Sequence, residues 1–65
     1  MKGYETEEFK ELQNFFQEKG HTIYADMVKE DSNYFGIYVT NWEYDLASGV
    51  VVVVFNDYQI DIYHI

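Results

Sequence analysis

Apolar residues recur along this chain at two different periods. Between Glu7 and Lys19, Phe9, Leu12 and Phe16 return at helical spacing with Phe15 beside them, which predicts one amphipathic helix. Thr6 is placed to cap its N-terminus, Glu7 and Glu8 suit the positive end of the helix dipole, and Lys19-Gly20 is a stop signal. The same geometry brings Glu7, Glu11 and Glu18 within about 40° of one another on the side away from the apolar stripe.

From His21 onward the alternation shortens to two. Ile23, Ala25 and Met27 alternate with Thr22, Tyr24 and Asp26; the polar cluster Glu30-Asp31-Ser32-Asn33 reads as a turn. Phe35, Ile37 and Val39 then alternate with Tyr34, Gly36 and Tyr38, and the pattern runs on toward Trp42 and Tyr44. Asp45 to Gly49 reads as a loop, Val50 to Phe55 as a β-branched strand, Asn56-Asp57 as a two-residue turn, and Tyr58 to His64 as a last strand. Connections this short do not make parallel crossovers. The expectation is a single α+β domain over 1–65, one N-terminal helix on a four-stranded antiparallel meander (αββββ). Its helix-facing side would carry Ile23, Met27, Phe35, Ile37, Val39, Ile60 and Ile62, with alternate residues of Val50 to Phe55.

The run Val50 to Phe55 is apolar on both faces, and one helix covers only one of them. On the second face the period-two reading places Val50, Val52 and Val54 with Tyr24, Tyr38 and Tyr63, Val28 and Ile65. Three occupants compete for that surface: a second copy packed sheet on sheet, with Val50, Val52, Val54 and Tyr63 at the dimer interface; a different protein; or nothing beyond the sheet's own twist and long side chains.

Composition narrows the function. The 65 residues carry 12 acids against 4 lysines, a net charge of −8, with no Arg, Cys or Pro. Affinity for a phosphate backbone comes from Lys and Arg, so the charge argues against direct nucleic-acid binding, and against anionic membrane surfaces likewise. Without Cys there is neither a disulfide nor a thiolate zinc site. The opening residues Met1-Lys2-Gly3-Tyr4-Glu5 hold no apolar run, and Val50 to Phe55 is too short to span a bilayer, so a cytoplasmic protein is expected.

Little in the sequence points to catalysis. No nucleophile motif surrounds Ser32 or Ser48, His21 and His64 form no short-spaced ligand pair, and Glu30-Asp31-Ser32-Asn33 lacks calcium-loop spacing. The expectation is a non-enzymatic protein without metal or cofactor. The organised feature is acidic. Glu7 and Glu11 lie one helical turn, about 6 Å, apart, comparable with neighbouring phosphates on a DNA strand. An acidic outer face is also common on ordinary helices.

In size, net charge, lack of Cys and compact α+β pattern the whole chain resembles the small acidic inhibitors encoded by phages and prophages, anti-CRISPR proteins and other DNA mimics among them, although it shares no motif with them. The resemblance implies an inhibitor that occludes a basic, nucleic-acid-binding host protein, in the host cytoplasm. Glu7, Glu11, Glu18, Glu43 and Asp45 would supply charge, and Tyr24, Tyr38, Trp42 and Tyr44 would supply aromatic anchoring area. The alternative is a small homodimeric structural or assembly protein joined through the valine and tyrosine face.

Overall fold

The computed structural model describes residues 6–65; the opening stretch read above for a leader lies outside the described residues. The order of elements is α1 (Glu7–Glu18), α2 (Thr22–Phe35), β1 (Val39–Asp45), β2 (Val50–Phe55) and β3 (Ile60–His64). The fold is α+β with two helices and a three-stranded antiparallel sheet of order β1-β2-β3, not one helix on four strands.

Helix α1 forms where its signals lie. The Thr6 hydroxyl accepts from the Phe9 amide at 3.2 Å and donates to the Val39 carbonyl at 3.4 Å, tying the helix start to the sheet. At the other end the Gly20 and His21 amides donate back to Gln17 and Phe16 at 3.1 and 2.7 Å, a Schellman ending with Gly20 at φ 79°.

Helix α2 overturns the first expected strand and the start of the second. The alternation of Ile23, Ala25 and Met27 coincides with a second, helical pattern. Ala25, Val28 and Ser32, at i, i+3 and i+7, are the residues buried, while Ile23 and Met27 are exposed. The expected turn at Glu30-Asp31-Ser32-Asn33 is helical backbone inside α2. Gly36, expected within a strand, is the left-handed cap that ends α2 at φ 66°, its amide donating to the Ser32 carbonyl.

Two irregularities decide which side chains face the helices. A bulge between Val39 and Asn41 shifts the pairing of β1 with β2, so Val39 opposite Phe55 and Trp42 and Tyr44 opposite Val53 and Val51 all reach the core side. The β2–β3 connection is one residue longer than the expected two-residue turn. The Phe55 amide donates to Gln59, Tyr58 takes φ 71°, and Val54 pairs with Ile60. One extra residue in a hairpin turns every side chain of the following strand over. Ile60 and Ile62, expected in the core, therefore stand on the outer face, and Tyr63, expected on the outer face, is in the core.

The core lies between the helix pair and the inner sheet face. It contains Phe9, Leu12, Phe16, Ala25, Val28, Ile37, Val39, Val51, Val53, Phe55 and Tyr63. The Phe16 ring sits at its centre, edge-on to Tyr24 at 5.6 Å and to Tyr63 at 5.5 Å.

Candidate protein-binding surfaces

Two surfaces concentrate the residues singled out in the sequence. The first is the flank where α1 meets β1. Phe15 lies beside the buried stripe of α1 and is half-buried; its ring centroid is 5.2 Å from that of Trp42 and 5.0 Å from that of Tyr44. Lys19 places its Nζ 5.8 Å from both the Phe15 and the Tyr44 rings. Glu11 and Glu18 stand one turn before and after Phe15 on the helix surface, and with Glu7 they are exposed. The fold therefore joins part of the acidic stripe to the half-buried Trp42 and Tyr44. Phe15, predicted only as part of the apolar stripe, is what connects them.

The second is the outer sheet face. Val50, Val52 and Val54 of β2 are half-buried there, flanked on β3 by Ile60 and Ile62, which are 57% and 59% exposed. On β1 the residues opposite the valines are Asp45, Glu43 and Asn41. Half of this face is apolar and the other half polar and acidic. Glu43 and Asp45, grouped with the α1 acids in the sequence, belong to this face.

The remaining predicted residues are elsewhere. Tyr63 is 6% exposed on the core side, so it takes no part in an outer-face interface; the length of the β2–β3 turn put it there. Tyr24 packs between Phe16, Tyr63 and a stacked His21, and its hydroxyl donates to the His64 carbonyl at 3.1 Å. Tyr38 precedes β1 and is exposed, its amide donating to Asn56 Oδ1 at 2.9 Å. Sequence reading also missed an exposed row on α2, Ile23, Met27 and Tyr34, because it took this segment for strands and a turn. Their i, i+4, i+11 spacing was the available signal.

One acidic pair has unusual chemistry. The Asp61 side chain, on the core side of β3, accepts from the Tyr63 hydroxyl at 3.3 Å and from Gln59 Nε2 at 3.4 Å. Asp31 reaches it from α2: a hydrogen bond to Asp61, then desolvation, then the Asp61 charge raise the Asp31 carboxyl from 3.8 to about 6. Burial, and after it the charge of Asp61, push the Tyr63 phenol up. A folded-state value above the unfolded one means that the folded form holds the extra proton between about pH 4 and 6. The stabilisation is complete below the unfolded value and is lost as pH rises through about 6. Asp31→Asn, which keeps a hydrogen-bonding side chain without the charge, should raise stability at pH 7 by about 1 kcal/mol, the partial exposure of the pair screening a larger figure. It should also flatten the loss of urea midpoint between pH 4 and 6. Asp57→Asn removes an exposed charge elsewhere, and an equal gain there would assign the effect to net charge instead of the pair.

Among the described residues no group of three or more His, Asp or Glu is placed to hold a metal ion, and no helix is long and apolar enough to cross a membrane. The arrangement defines a class: a small α+β domain with two helices on one face of a three-stranded antiparallel sheet and the other face uncovered by its own helices. No protein-family model, characterised protein or solved structure matches this chain.

Proposed function

We propose that this protein is a non-enzymatic inhibitor, of the phage or mobile-element kind, that binds a basic, nucleic-acid-binding host protein through the α1–β1 flank and acts in the host cytoplasm. The observation that carries this reading is the juxtaposition of exposed Glu11 and Glu18 with the half-buried cluster of Phe15, Trp42 and Tyr44. Charge and anchoring area are separate requirements of a tight interface. Acidic side chains attract a basic partner and speed encounter, whereas aromatic side chains supply most of the energy once water is excluded. The net charge of −8 supports the same direction of attraction.

The test is affinity capture from host lysate at low salt, comparing wild type with Glu7→Lys/Glu11→Lys/Glu18→Lys and with Tyr44→Ala. The expected result is a basic protein that wild type retains and that raised salt releases, since screening weakens attraction between exposed charges. Its affinity should fall at least tenfold for the triple variant, with a smaller loss for Tyr44→Ala. Equal retention by all three proteins would remove this flank from the mechanism.

A further inference from the structure

We propose that the outer sheet face is a homodimer interface in which a two-fold axis runs parallel to β2 and sets Asp45 of each copy against the partner's His64. The argument begins with register. Asp45, Val50 and His64 lie at one level across the three strands; Glu43, Val52 and Ile62 lie at the next; Asn41, Val54 and Ile60 at the third. Two sheets packed face to face about 10 Å apart bury such rows against each other.

Two in-plane two-folds keep the strands of the two sheets aligned. With the axis perpendicular to the strands, β1 lies over the partner's β1 and Glu43 meets the partner's Glu43. With the axis along β2, β1 lies over the partner's β3. Val50, Val52 and Val54 then meet their own copies, Asn41 and Glu43 lie over the partner's Ile60 and Ile62, and Asp45 meets the partner's His64. Charge decides between them. In the second arrangement the like-charged row is separated, and an imidazole N–H donates to a carboxylate on each side of Val50, both pairs at the same end of the apolar strip. The exposed Ile60 and Ile62 are covered, and so are the half-buried valines. Asp45 and His64 are both exposed, and Asp45 Oδ1 accepts from the Ala47 amide at 3.1 Å, holding that carboxylate at the strand end.

The footprint sets the strength. Three strands at about 4.8 Å spacing and six residues at about 3.4 Å give a flat area of about 300 Å² per copy. That is well below the roughly 800 Å² per partner of a standard interface, so a weak, transient dimer is expected, populated toward the upper end of the concentration range below. The interface is independent of the α1–β1 flank, and a dimer would present two such flanks on its outer sides.

Sedimentation equilibrium over about 5–500 μM tests the proposal, with far-UV circular dichroism reporting the fold of each variant. Wild type should shift from monomer toward dimer across this range. Val52→Lys should remain monomeric, as should Val52→Thr, whose β-branched side chain keeps the strand if the lysine variant unfolds. His64→Asp places two carboxylates together on each side of Val50 and should weaken the dimer about tenfold; Asp45→Asn in the same chain keeps the turn acceptor, removes the clash and should restore it. Asp57→Asn with His64→Asp has the same net charge and should not. A wild type that stays monomeric throughout, a dimer that survives both folded Val52 variants, or equal rescue by Asp45→Asn and Asp57→Asn would each overturn the proposal.

Discussion

Phe16→Ala should lower the stability of this domain by about 3–5 kcal/mol, enough to leave much of it unfolded at room temperature. Phe16 is fully buried and meets Phe15, Tyr24 and Tyr63, so its ring is the point where α1, α2 and β3 touch one another. Truncation removes the transfer energy of the ring and leaves a cavity among aromatic side chains that cannot all collapse into it. A chain of this length has in total about 3–10 kcal/mol to lose, at the usual stability per residue. Urea unfolding followed by circular dichroism should show a collapsed midpoint. Phe15→Ala, at a half-buried position, should cost clearly less, and equal costs at the two positions would contradict the described core.

Ser32→Ala should cost about 1–3 kcal/mol although it removes a single oxygen. Ser32 is the one polar residue buried among the described residues, and its hydroxyl donates to the Ile37 carbonyl. Its own carbonyl accepts from the Gly36 and Ile37 amides. This residue therefore closes the turn that carries the chain from α2 to β1. The alanine variant leaves the Ile37 carbonyl without that donor, and the penalty for an unpaired buried acceptor exceeds the net worth of an ordinary hydrogen bond. The same urea measurement decides it: a change below about 0.5 kcal/mol, the range of ordinary surface substitutions, would mean that the carbonyl finds another donor.

Both residues show where the sequence was legible. Phe16 belongs to α1, whose cap, dipole charges, apolar stripe and stop signal agree, and the element formed where those signals lie. Ser32 belongs to α2, where local signals conflicted. Ile23, Ala25 and Met27 satisfy a strand pattern, yet Ala25, Val28 and Ser32 satisfy a helical one and end at a glycine able to cap it. Over short stretches the two periods overlap, and what separates them is which face finds a partner. In this chain α2 buries Ala25 and Val28 with the core of α1 and the sheet, and leaves Ile23 exposed.

The candidate surfaces divide in the same way. The acidic stripe of Glu7, Glu11 and Glu18 follows from helical spacing alone, because α1 is regular. Its meeting with Trp42 and Tyr44 does not, since it needs the bulge that turns both toward Phe15. The apolar outer face was legible as six apolar residues in a row, but its composition was not. Ile60 and Ile62 replaced Tyr63 there because the connecting turn has one more residue than the Asn56-Asp57 reading allowed.

By itself, then, the sequence determined the α+β class, α1 with its acidic face, the position of β2 and the exclusion of thiolate chemistry, because these rest on composition and on signals within a few residues. The tertiary structure alone decided that 22–35 is a helix, which face of β3 meets the core, and that acids and aromatics share the α1–β1 flank. The physical reason is that strand facing has a period of two. A single inserted residue, at the bulge in β1 or in the β2–β3 turn, reverses the facing of the strand residues that follow it in that strand, and only the packing of the whole core selects which reversal is kept.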